Sequence, residues 1–260
     1  MEFSKIRFGV EDGICRIVLN RPEALNSLND ELNAELWEAW RLFDEDESAG
    51  VAILSAEGRA FSAGADLKSW IPKWEKANML DVRKNAARGI GGGITRGQHR
   101  IYKPVIAAIQ GAAIGGGFEL ALAADIRIAS ERAKFGSFEV RMGLHQGDGG
   151  LVRLVAIAGV AVALDIALTG REIQVDEAFR LGLVNKVVPP EELMPTAERY
   201  ARMVLANSPQ AIRSAKETVL EIIGRPLDDA LRLETLYAYS SVGDFSDARR
   251  RIDAFFAGKG

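Results

Sequence analysis

Two segments built around glycine are the strongest candidates for a reaction site. They are Phe61-Ser62-Ala63-Gly64-Ala65-Asp66-Leu67 and Gly111-Ala112-Ala113-Ile114-Gly115-Gly116-Gly117-Phe118-Glu119-Leu120. Each follows a predicted strand and precedes a predicted helix, and the first N–H groups of a helix have no acceptor within it. Small side chains let a ligand approach these groups, and the helix dipole favours a negative ligand there. Two such junctions are therefore suited to hold one anionic oxygen between them.

The glycines do not match the signatures of nucleotide-binding or serine hydrolase sites. No G-x-G-x-x-G follows a predicted strand, and no Lys-Ser or Lys-Thr closes the triple glycine as a phosphate-binding loop requires. The G-x-S-x-G nucleophile elbow is also absent from the sequence. For either segment alone, the alternative that its glycines only permit tight turns and close packing stays open.

Two glutamates stand near these segments. Glu119 lies just inside the helix predicted after the triple glycine, and Glu139 follows a predicted strand and the turn Lys134-Phe135-Gly136-Ser137-Phe138. A single Glu in either place is usually solvated or paired with a cation, but two beside two junctions favour acid–base chemistry. The two histidines, His99 and His145, have no second His or Cys nearby. We therefore predict no metal site and expect each histidine to be structural or exposed.

Strands and helices alternate around these groups. Short apolar runs predict strands at residues 14–19, 51–54, 105–109 and 126–129. An amphipathic helix is predicted from about residue 29 to residue 44, because apolar residues recur there at three- and four-residue spacing. These apolar residues are Leu32, Leu36, Ala39, Trp40 and Phe43. Ser27-x-x-Asp30 resembles a capping box at the start of this helix.

Helical signals dominate the C-terminal part of the chain. After Gly150 the strand signals fade, Ser208-Pro209 predicts a helix start, and Ser246 is predicted to cap a last helix. The sequence therefore predicts an α/β core followed by a helical section. Residues 70–100 are the least regular stretch, which makes them the best candidate for a mobile segment that faces a substrate.

Composition indicates one large core in a reducing compartment. The 260 residues are 48% hydrophobic, and the net charge of -3 does not favour a nucleic acid partner. The single cysteine, Cys15, lies in an apolar run and is expected to be a buried core residue. We recognise no targeting sequence and no uninterrupted apolar run of about 20 residues that would span a membrane. A cytoplasmic chain without a membrane partner is expected.

Together, the ordered motifs resemble the enoyl-CoA hydratase/isomerase family, also called the crotonase superfamily. The likeness covers nearly the whole chain. The matching segments are Asn20-Arg21-Pro22-x-Ala24-Leu25-Asn26, F-S-A-G-A-D-L, G-x-A-I-G-G-G-F-E-L-A-L-A-A-D, Ala133-Lys134-Phe135-Gly136 with Glu139, Gly149-Gly150, Leu168-Thr169-Gly170 and Ala178-x-x-x-Gly182-Leu183-Val184. The resemblance implies an α/β spiral of β-β-α turns, here residues 1–195. It also implies a helical C-terminal region, residues 196–260, through which chains pack into homotrimers or homohexamers.

The resemblance also implies a site. By motif position, the N–H groups of Ala65 and Gly116 form an oxyanion hole for a coenzyme A thioester. The residues expected to border the coenzyme A are Ala24, Ala63, Ala65, Asp66, Leu67, Lys68 and Gly116. No cofactor is implied, because coenzyme A is part of the substrate. Glu119 and Glu139 match the two carboxylates used by the hydratase branch of the family.

These expectations favour hydration of an α,β-unsaturated acyl-CoA. Water addition develops negative charge on the thioester oxygen, which two fixed N–H groups stabilise. We hypothesise that Glu119 and Glu139 hold one water, activate it for attack at the β-carbon and deliver a proton to the α-carbon. Isomerisation needs one base, so the second Glu favours hydration. Isomerisation, thioester hydrolysis and carbon–carbon cleavage stay open, as does a noncatalytic RNA-binding role, which the acidic balance and the Glu pair disfavour.

Two local departures from the hydratase pattern surround Glu139. Phe138 replaces a common Pro, and Leu144-His145-Gln146-Gly147-Asp148 replaces a turn that usually contains Pro. These residues are expected either to shift Glu139 or to bring His145 or Asp148 into the acyl pocket.

Trp70 and Trp74, four residues apart, form one aromatic face if they are helical. That face either packs ordinarily or forms a wall for the acyl group, over which residues 70–100 would close.

Overall fold

The computed structural model describes residues 3–97, 100–240 and 245–258. Within these ranges the strands are β1 (Ile6–Glu11), β2 (Ile14–Leu19), β3 (Val51–Ala56), β4 (Ala60–Ser62), β5 (Val105–Ile109), β6 (Ala112–Ile114), β7 (Ile126–Ser130), β8 (Lys134–Gly136), β9 (Glu172–Gln174) and β10 (Lys186–Val188). The α-helices are α1 (Asp30–Glu45), α2 (Leu67–Trp74), α3 (Met79–Arg88), α4 (Gly116–Ala123), α5 (Gly150–Thr169), α6 (Val175–Arg180), α7 (Leu193–Leu205), α8 (Pro209–Ile222), α9 (Leu227–Ser240) and α10 (Ser246–Phe256). Short 3-10 helices lie at Pro22–Ala24, Gly91–Arg96, Glu139–Met142 and Pro190–Glu192.

The strands form two sheets that grow together along the chain. The larger sheet has the order β1-β2-β3-β5-β7-β10, and the smaller sheet has the order β4-β6-β8-β9. The successive pairs β3 with β4, β5 with β6 and β7 with β8 each place one strand in either sheet, parallel to the preceding one. A helix follows each pair, namely α2, α4 and α5. The chain therefore winds as a spiral of β-β-α turns, and the predicted α/β fold is confirmed.

The predicted strands and the first predicted helix are also confirmed. The apolar runs lie within β2, β3, β5 and β7, and α1 buries all five of its predicted apolar residues. The predicted Ser27 capping box is wrong. Asn29 is the N-cap of α1, and its side chain accepts a hydrogen bond from the Leu32 N–H at 2.9 Å. Ser27 instead accepts a hydrogen bond from the Arg21 guanidinium at 2.9 Å.

The larger sheet is buried on both of its faces. On one face, residues of β3, β5 and β7 pack against Leu193, Ala197 and Ala201 of α7. The opposite face packs with α1 and α4 into a second cluster, which contains Cys15 as predicted. Burial raises the pKa of the Cys15 thiol to about 12. Because α7 packs on the sheet, the predicted boundary between residues 195 and 196 falls inside a helix of the core.

The C-terminal part differs from the expectation in its details. β9 and β10 lie beyond Gly150, and each has three residues, too few for an apolar periodicity to be visible. Ser208 is the N-cap of α8 as predicted, but its side chain makes its hydrogen bond with Asp247. The predicted Ser246 cap is wrong by one position, because α10 begins at Ser246 and Phe245 is its N-cap.

One helix in the described ranges, α5, is long and apolar enough to cross a membrane by length and composition. Gly159 interrupts it with φ 82 and ψ 168, so neither half reaches the about 20 residues that a span requires. Asp165 in the second half pairs with Arg171 at 2.6 Å. The outward residues of α5 include Val152, Val160 and Leu168, all exposed. α5 therefore presents an apolar surface on the outside of the chain.

Residues 70–100 are more regular than the sequence analysis predicts. The end of α2, all of α3 and the 3-10 helix Gly91–Arg96 occupy most of this stretch. α3 begins with a capping box in which Asn78 and Asp81 exchange hydrogen bonds, a signal that the sequence analysis overlooked. His99 lies outside the described residues.

Candidate active site

The first glycine-centred segment connects β4 to α2 and lies along residues 25–28. The Leu28 N–H donates to Gly64 O at 2.7 Å, and the Asp66 N–H donates to Leu28 O at 3.1 Å. In a parallel bridge of this kind, the residue between the two bonded groups directs its own N–H away from the partner segment. The N–H of Ala65 therefore points away from Leu28.

The second segment connects β6 to α4 and lies directly beside Ala65. Gly116 is the first residue of α4, so its N–H has no acceptor within the helix. A Cβ placed on Gly64 would lie 2.9 Å from Gly116 N, and one placed on Gly116 would lie 3.4 Å from Ala65 N. The structure thus places the Ala65 and Gly116 amides side by side, and their use as an oxyanion hole stays a prediction.

Glycine is required where the two segments approach each other. Gly64 has φ +88, and a Cβ there would lie 2.6 Å from Ile114 O. A Cβ on Gly117 would lie 2.3 Å from Ser62 O. Both separations are far below van der Waals contact, so the main chains pack closely only because these side chains are missing. Close packing and ligand access are therefore two consequences of the same glycines.

Side-chain hydrogen bonds fix the first segment to the chain before it. Asn26 is fully buried and accepts a hydrogen bond from the Arg21 N–H at 2.9 Å. Its amide donates to Glu57 O at 2.8 Å and to Ala60 O at 2.9 Å. The Ser62 hydroxyl donates to Asn26 O at 2.8 Å. In the sequence Asn26 is marked only by its place in a motif, and in the structure its side chain holds β4 and the Ala65 segment in place.

Most of the residues predicted to border coenzyme A lie in or next to this first segment, and Gly116 lies in the second. The Ala63 N–H donates to Leu25 O at 2.9 Å, which brings Ala24 close to Ala63. Leu67 and Lys68 form the first turn of α2, and Lys68 is exposed. The Lys68 ammonium is therefore available to a ligand phosphate, whereas Ala24 and Ala63 offer only small apolar surface.

Asp66 belongs to the same predicted set, but its side chain is engaged within the protein. It is the N-cap of α2, and one carboxylate oxygen accepts a hydrogen bond from the Arg21 guanidinium at 2.7 Å. Burial acts to raise the pKa of Asp66, but the hydrogen bond and charge of Arg21, together with the N–H groups of Ser69 and Lys68, leave the pKa below its ordinary value. Asp66 is therefore ionised and structural.

Glu119 is buried in the first turn of α4 and is held by main-chain groups. Its Oε1 accepts hydrogen bonds from the N–H groups of Asp148 at 2.9 Å and Gly150 at 3.0 Å. Burial raises the pKa of Glu119 to about 7, and the Asp148 and Glu139 charges add to the rise against the two N–H bonds. Near neutrality, Glu119 is therefore divided between its acid and carboxylate forms.

Glu139 begins the 3-10 helix after β8 and faces the start of α4. A Cβ placed on Gly115 would lie 3.2 Å from its Oε1. Its Oε2 accepts a hydrogen bond from the Ser137 hydroxyl at 3.1 Å. Burial raises the pKa of Glu139 above its ordinary value in spite of this bond. The structure therefore brings both predicted acids to the same end of α4 as the Gly116 amide.

Further charged groups complete the cluster around the two acids. Asp148 accepts hydrogen bonds from the Ile90 N–H at 2.9 Å and from Arg96 Nε at 2.8 Å. Arg153, in the first turn of α5, has its pKa lowered chiefly by burial, while Glu119 and Asp148 act to raise it. The sequence analysis marked Asp148 as a candidate. Arg96 and Arg153 carried no signal in the sequence beyond a charge beside apolar residues.

A cavity of about 870 Å³ opens beside this cluster, bordered by Ile90, Asp148, Trp70 and Trp74 among others. The two tryptophans lie on α2 with ring centroids 5.7 Å apart, so they form the shared aromatic face that their spacing predicts. A Cβ on Gly116 would lie 2.3 Å from Ile90 Cδ1. Ile90 therefore connects the cavity to the paired amides.

His145 does not reach the cavity. It is exposed, and the residues that border the cavity do not include it. The next residue, Gln146, takes the inward position of the turn and is 4% exposed. His145 still lowers the pKa of Glu139 through its charge. In the ranges that the structure describes, no group of three or more His, Cys, Asp or Glu side chains is placed to hold a metal ion.

Comparison with known proteins identifies the family of the chain. The family model for enoyl-CoA hydratase/isomerase matches residues 9–256. The chain is 35% identical to a short-chain-enoyl-CoA hydratase of Clostridium acetobutylicum, over 98% of this chain and 95% of that protein. It is 36% identical to a crotonyl-CoA hydratase of Syntrophomonas wolfei, over 90% and 88% of the two chains. The crystal structure of an enoyl-CoA hydratase from Bacillus anthracis matches with a TM-score of 0.88 at 35% identity, over 98% and 97% of the chains. The chain therefore belongs to the enoyl-CoA hydratase/isomerase family.

Proposed function

We propose that this chain is an enoyl-CoA hydratase, a hydro-lyase that adds water across the α,β double bond of an acyl-CoA thioester. The names of its relatives support the hydratase reaction. One structural observation carries the proposal: the Ala65 and Gly116 amides lie side by side, next to two glutamates whose pKa values are raised by burial. Raised carboxyl pKa values suit groups that exchange protons near neutral pH.

The paired amides stabilise the charge that develops during the reaction. Attack at the β-carbon moves electrons onto the thioester oxygen, and that oxygen lies between the N–H groups of Ala65 and Gly116. Because both donors belong to the main chain of rigid junctions, they need no reorganisation as the charge appears. A single donor of this kind contributes roughly 3 to 4 kcal/mol to the stability of a transition state.

The two glutamates exchange protons with the attacking water and the substrate. One carboxylate accepts a proton from the bound water as the water oxygen bonds to the β-carbon. The other, in its acid form, releases a proton to the α-carbon. The pair therefore holds one shared proton before and after the reaction, and the product differs from the substrate by one water. Mutual repulsion and burial favour this singly protonated state of the pair.

The acyl group occupies the cavity beside Ile90, and the coenzyme A extends along Ala24 and residues 63–68. The paired face of Trp70 and Trp74 gives the cavity an apolar wall. We further propose that residues 70–97 tighten over the bound acyl chain. Hydrogen exchange of this segment with and without an acyl-CoA tests the closure, which is refuted if protection does not change.

The reaction is tested with purified protein and a panel of short, branched and aromatic enoyl-CoAs. Loss of the conjugated thioester absorbance, together with a product heavier by one water, supports hydration. An isobaric product would identify double-bond migration in its place. Glu119→Gln and Glu139→Gln proteins that stay folded and still bind ligand are expected to lose most turnover. Near-normal hydration by both variants would refute the proposed roles.

We also propose that the chain assembles into homotrimers or homohexamers, as its family resemblance implies. The apolar outer residues of α5 and the exposed Phe255 and Phe256 of α10 supply surface that an assembly would bury. Light scattering of the eluted protein measures its mass directly. A monomer at micromolar concentration would refute this proposal.

A further inference from the structure

One short segment, residues 146–150, holds both of the acidic side chains. The Asp148 and Gly150 N–H groups donate to Glu119 Oε1. Gln146 acts on the other acid through its side chain, because its Nε2 donates to Ser137 Oγ at 2.8 Å and Ser137 Oγ contacts Glu139 Oε2 at 3.1 Å. Glu119 is thus held by main-chain groups that any residue supplies. Glu139 interacts with its own main-chain N–H and also with a hydroxyl whose placement depends on the identities of Ser137 and Gln146.

The chemistry of these groups sets the direction of each hydrogen bond. An amide nitrogen only donates, so the Ser137 oxygen accepts from Gln146. The single hydroxyl hydrogen of Ser137 is then free to point at Glu139 Oε2, an acceptor. Both intermediate groups are buried, with Ser137 3% and Gln146 4% exposed, so water does not compete for these bonds. The hydroxyl is therefore fixed as a donor.

The bond to Oε2 also selects the working oxygen of Glu139. Oε1 faces Gly115 at the start of α4, next to Gly116. With Oε2 occupied by the hydroxyl, Oε1 is the oxygen that is directed towards the paired amides. A carboxyl group held through one oxygen keeps a single orientation, which a reacting water requires.

We propose that Gln146 and Ser137 are positioning residues, a side-chain relay that orients Glu139 and tunes its basicity during hydration. The inference rests on the proposed function, because it assumes that Glu139 exchanges a proton with water or substrate. It gives the turn that contains Gln146 a role in orienting Glu139. Neither residue touches the substrate, and both act through Glu139.

Other charged groups lie around Glu139 and are not part of the relay. Glu119 and Asp148 are negative neighbours, and His145 is a neighbour that lowers the pKa of Glu139. Arg141, two residues along the same 3-10 helix, lies over the Phe138 ring with its guanidinium 4.0 Å from the ring centre. A change at Ser137 or Gln146 leaves all four groups in place, so its effect on titration reports the relay.

Ser137→Ala removes the hydroxyl and tests the relay directly. Without this donor the pKa of Glu139 rises, so the limb of the pH–kcat profile that reports Glu139 moves to higher pH, whether Glu139 acts as acid or base. At neutral pH, kcat is expected to fall about tenfold, the usual effect of one hydrogen bond to a charged group, with KM unchanged. Gln146→Met, which keeps the length of the side chain, shifts the profile in the same direction by less.

The double variant Ser137→Ala/Gln146→Met separates a relay from two independent packing effects. If Gln146 acts through the hydroxyl, adding Gln146→Met to Ser137→Ala changes the profile no further. Additive shifts, or an unchanged profile in Ser137→Ala, would overturn the proposal. Gln174→Met, on an exposed strand residue, is the matched control and is expected to keep the profile of the unmodified protein.

A direct titration tests the relay independently of whether the chain is a hydratase. Carboxyl ¹³C NMR of glutamate-labelled protein, assigned with Glu139→Gln, reports the pKa of Glu139 without any turnover. The relay predicts a higher pKa of Glu139 in Ser137→Ala and a smaller response of Glu119, and no response of Glu139 would overturn it. If the chain fails to hydrate every enoyl-CoA, the proposed function is lost while this measurement still decides whether the relay exists.

Discussion

The junction between β4 and α2 and the junction between β6 and α4 each place an acidic residue at the start of a helix, where the dipole favours a negative charge. In the first junction Asp66 pairs with Arg21, and its pKa lies below the ordinary value. In the second junction Glu119 is buried without an ion-pair partner of this kind, and its pKa is raised to about 7. The first junction thus carries an acid that stays charged near neutral pH, Asp66 as the N-cap of α2. The second carries an acid that titrates near neutral pH, Glu119 four residues after the N-cap of α4.

The two junctions also differ in how their main chains are held. Asn26 and Ser62 fix the first through five side-chain hydrogen bonds to main-chain groups. The second junction packs closely against the first because its glycines, such as Gly117, have no side chain. The acid of the first junction is therefore committed to structure, so this junction offers a ligand its Ala65 amide but no acid for proton exchange. The second junction retains both an amide and an acid, and this difference explains why the proposed proton chemistry falls to Glu119.

The largest effect is expected from a methyl group placed between the junctions. In Gly117→Ala the new Cβ would lie 2.3 Å from Ser62 O, so α4 must move away from β4. A displacement near 1 Å of the paired amides lowers kcat/KM by about 100-fold, and the forced packing costs about 1 to 3 kcal/mol of stability. Steady-state kinetics and thermal unfolding measure the two effects.

Gly9→Ala is the matched control, because a Cβ at Gly9 meets no atom within 4 Å. It is expected to leave both kcat/KM and the unfolding temperature nearly unchanged. Normal kinetics in Gly117→Ala would show that the spacing of the junctions is not required.

Glu119→Gln tests the titrating acid through stability rather than turnover. The folded-state pKa of about 7 lies above the ordinary value of 4.5, so the folded chain binds more protons and loses stability as pH rises between these values. Gln carries no charge and keeps an oxygen for the Asp148 and Gly150 N–H groups. The variant is therefore expected to match the unmodified protein near pH 4 and to exceed its stability by about 3 kcal/mol above pH 7.

Urea unfolding at a series of pH values measures this difference. Glu11→Gln, on an exposed side chain, controls for the loss of one negative charge and is expected to show no such trend. A stability gap that did not widen between pH 4 and pH 8 would mean that Glu119 is ionised without cost in the folded chain.

Asn26 supports the first junction, and its removal is expected to cost stability at every pH. Asn26→Gly removes three buried hydrogen bonds, but glycine adopts the φ of 54 at this position without strain. A loss of about 2 kcal/mol is expected, since main-chain groups of Arg21 and Glu57 lose the Asn26 side chain as a partner, while Ala60 O keeps only its bond from Gln110. Asn26→Ala adds about 1 kcal/mol because of its strained φ. Equal stability of the two variants would show that backbone strain is absent, and an undisturbed Asn26→Gly would contradict the proposed support.

The sequence sufficed for the parts of the molecule that depend on local patterns. Apolar periodicity identifies the strands and the buried face of α1, and small residues identify the two glycine-centred junctions. The order of the motifs along the chain predicted the spiral fold. Glu119 and Glu139 were found because both belong to motifs. None of these predictions required knowledge of which distant residues meet.

Features that depend on long-range contacts escaped prediction. Asn29 took the N-cap of α1 although Ser27 fitted the capping pattern, because the Ser27 hydroxyl is used by Arg21. His145 was placed in the pocket, but the turn directs Gln146 inward in its place. The relay from Gln146 to Glu139 spans a turn whose path no local pattern specifies. The three-residue strands β9 and β10 likewise depend on hydrogen-bonded pairing with the neighbouring strands β8 and β7.

The smallest effect is expected from the charged acid of the first junction, and its pH dependence has the opposite sign to that of Glu119. Because the folded-state pKa of Asp66 lies below the ordinary value of 3.8, the ion pair stabilises the fold above that pH and is lost as pH falls through the folded-state pKa. Asp66→Asn is therefore expected to be about 1 kcal/mol less stable at pH 7, where the largely buried Arg21 loses its partner, and equal to the unmodified protein near pH 2. Urea unfolding across this range measures the gap, and Arg21→Met is expected to show the same trend. If the gap for Asp66→Asn widened on acidification, the acids of the two junctions would not differ in the way that assigns proton chemistry to Glu119 and a structural role to Asp66.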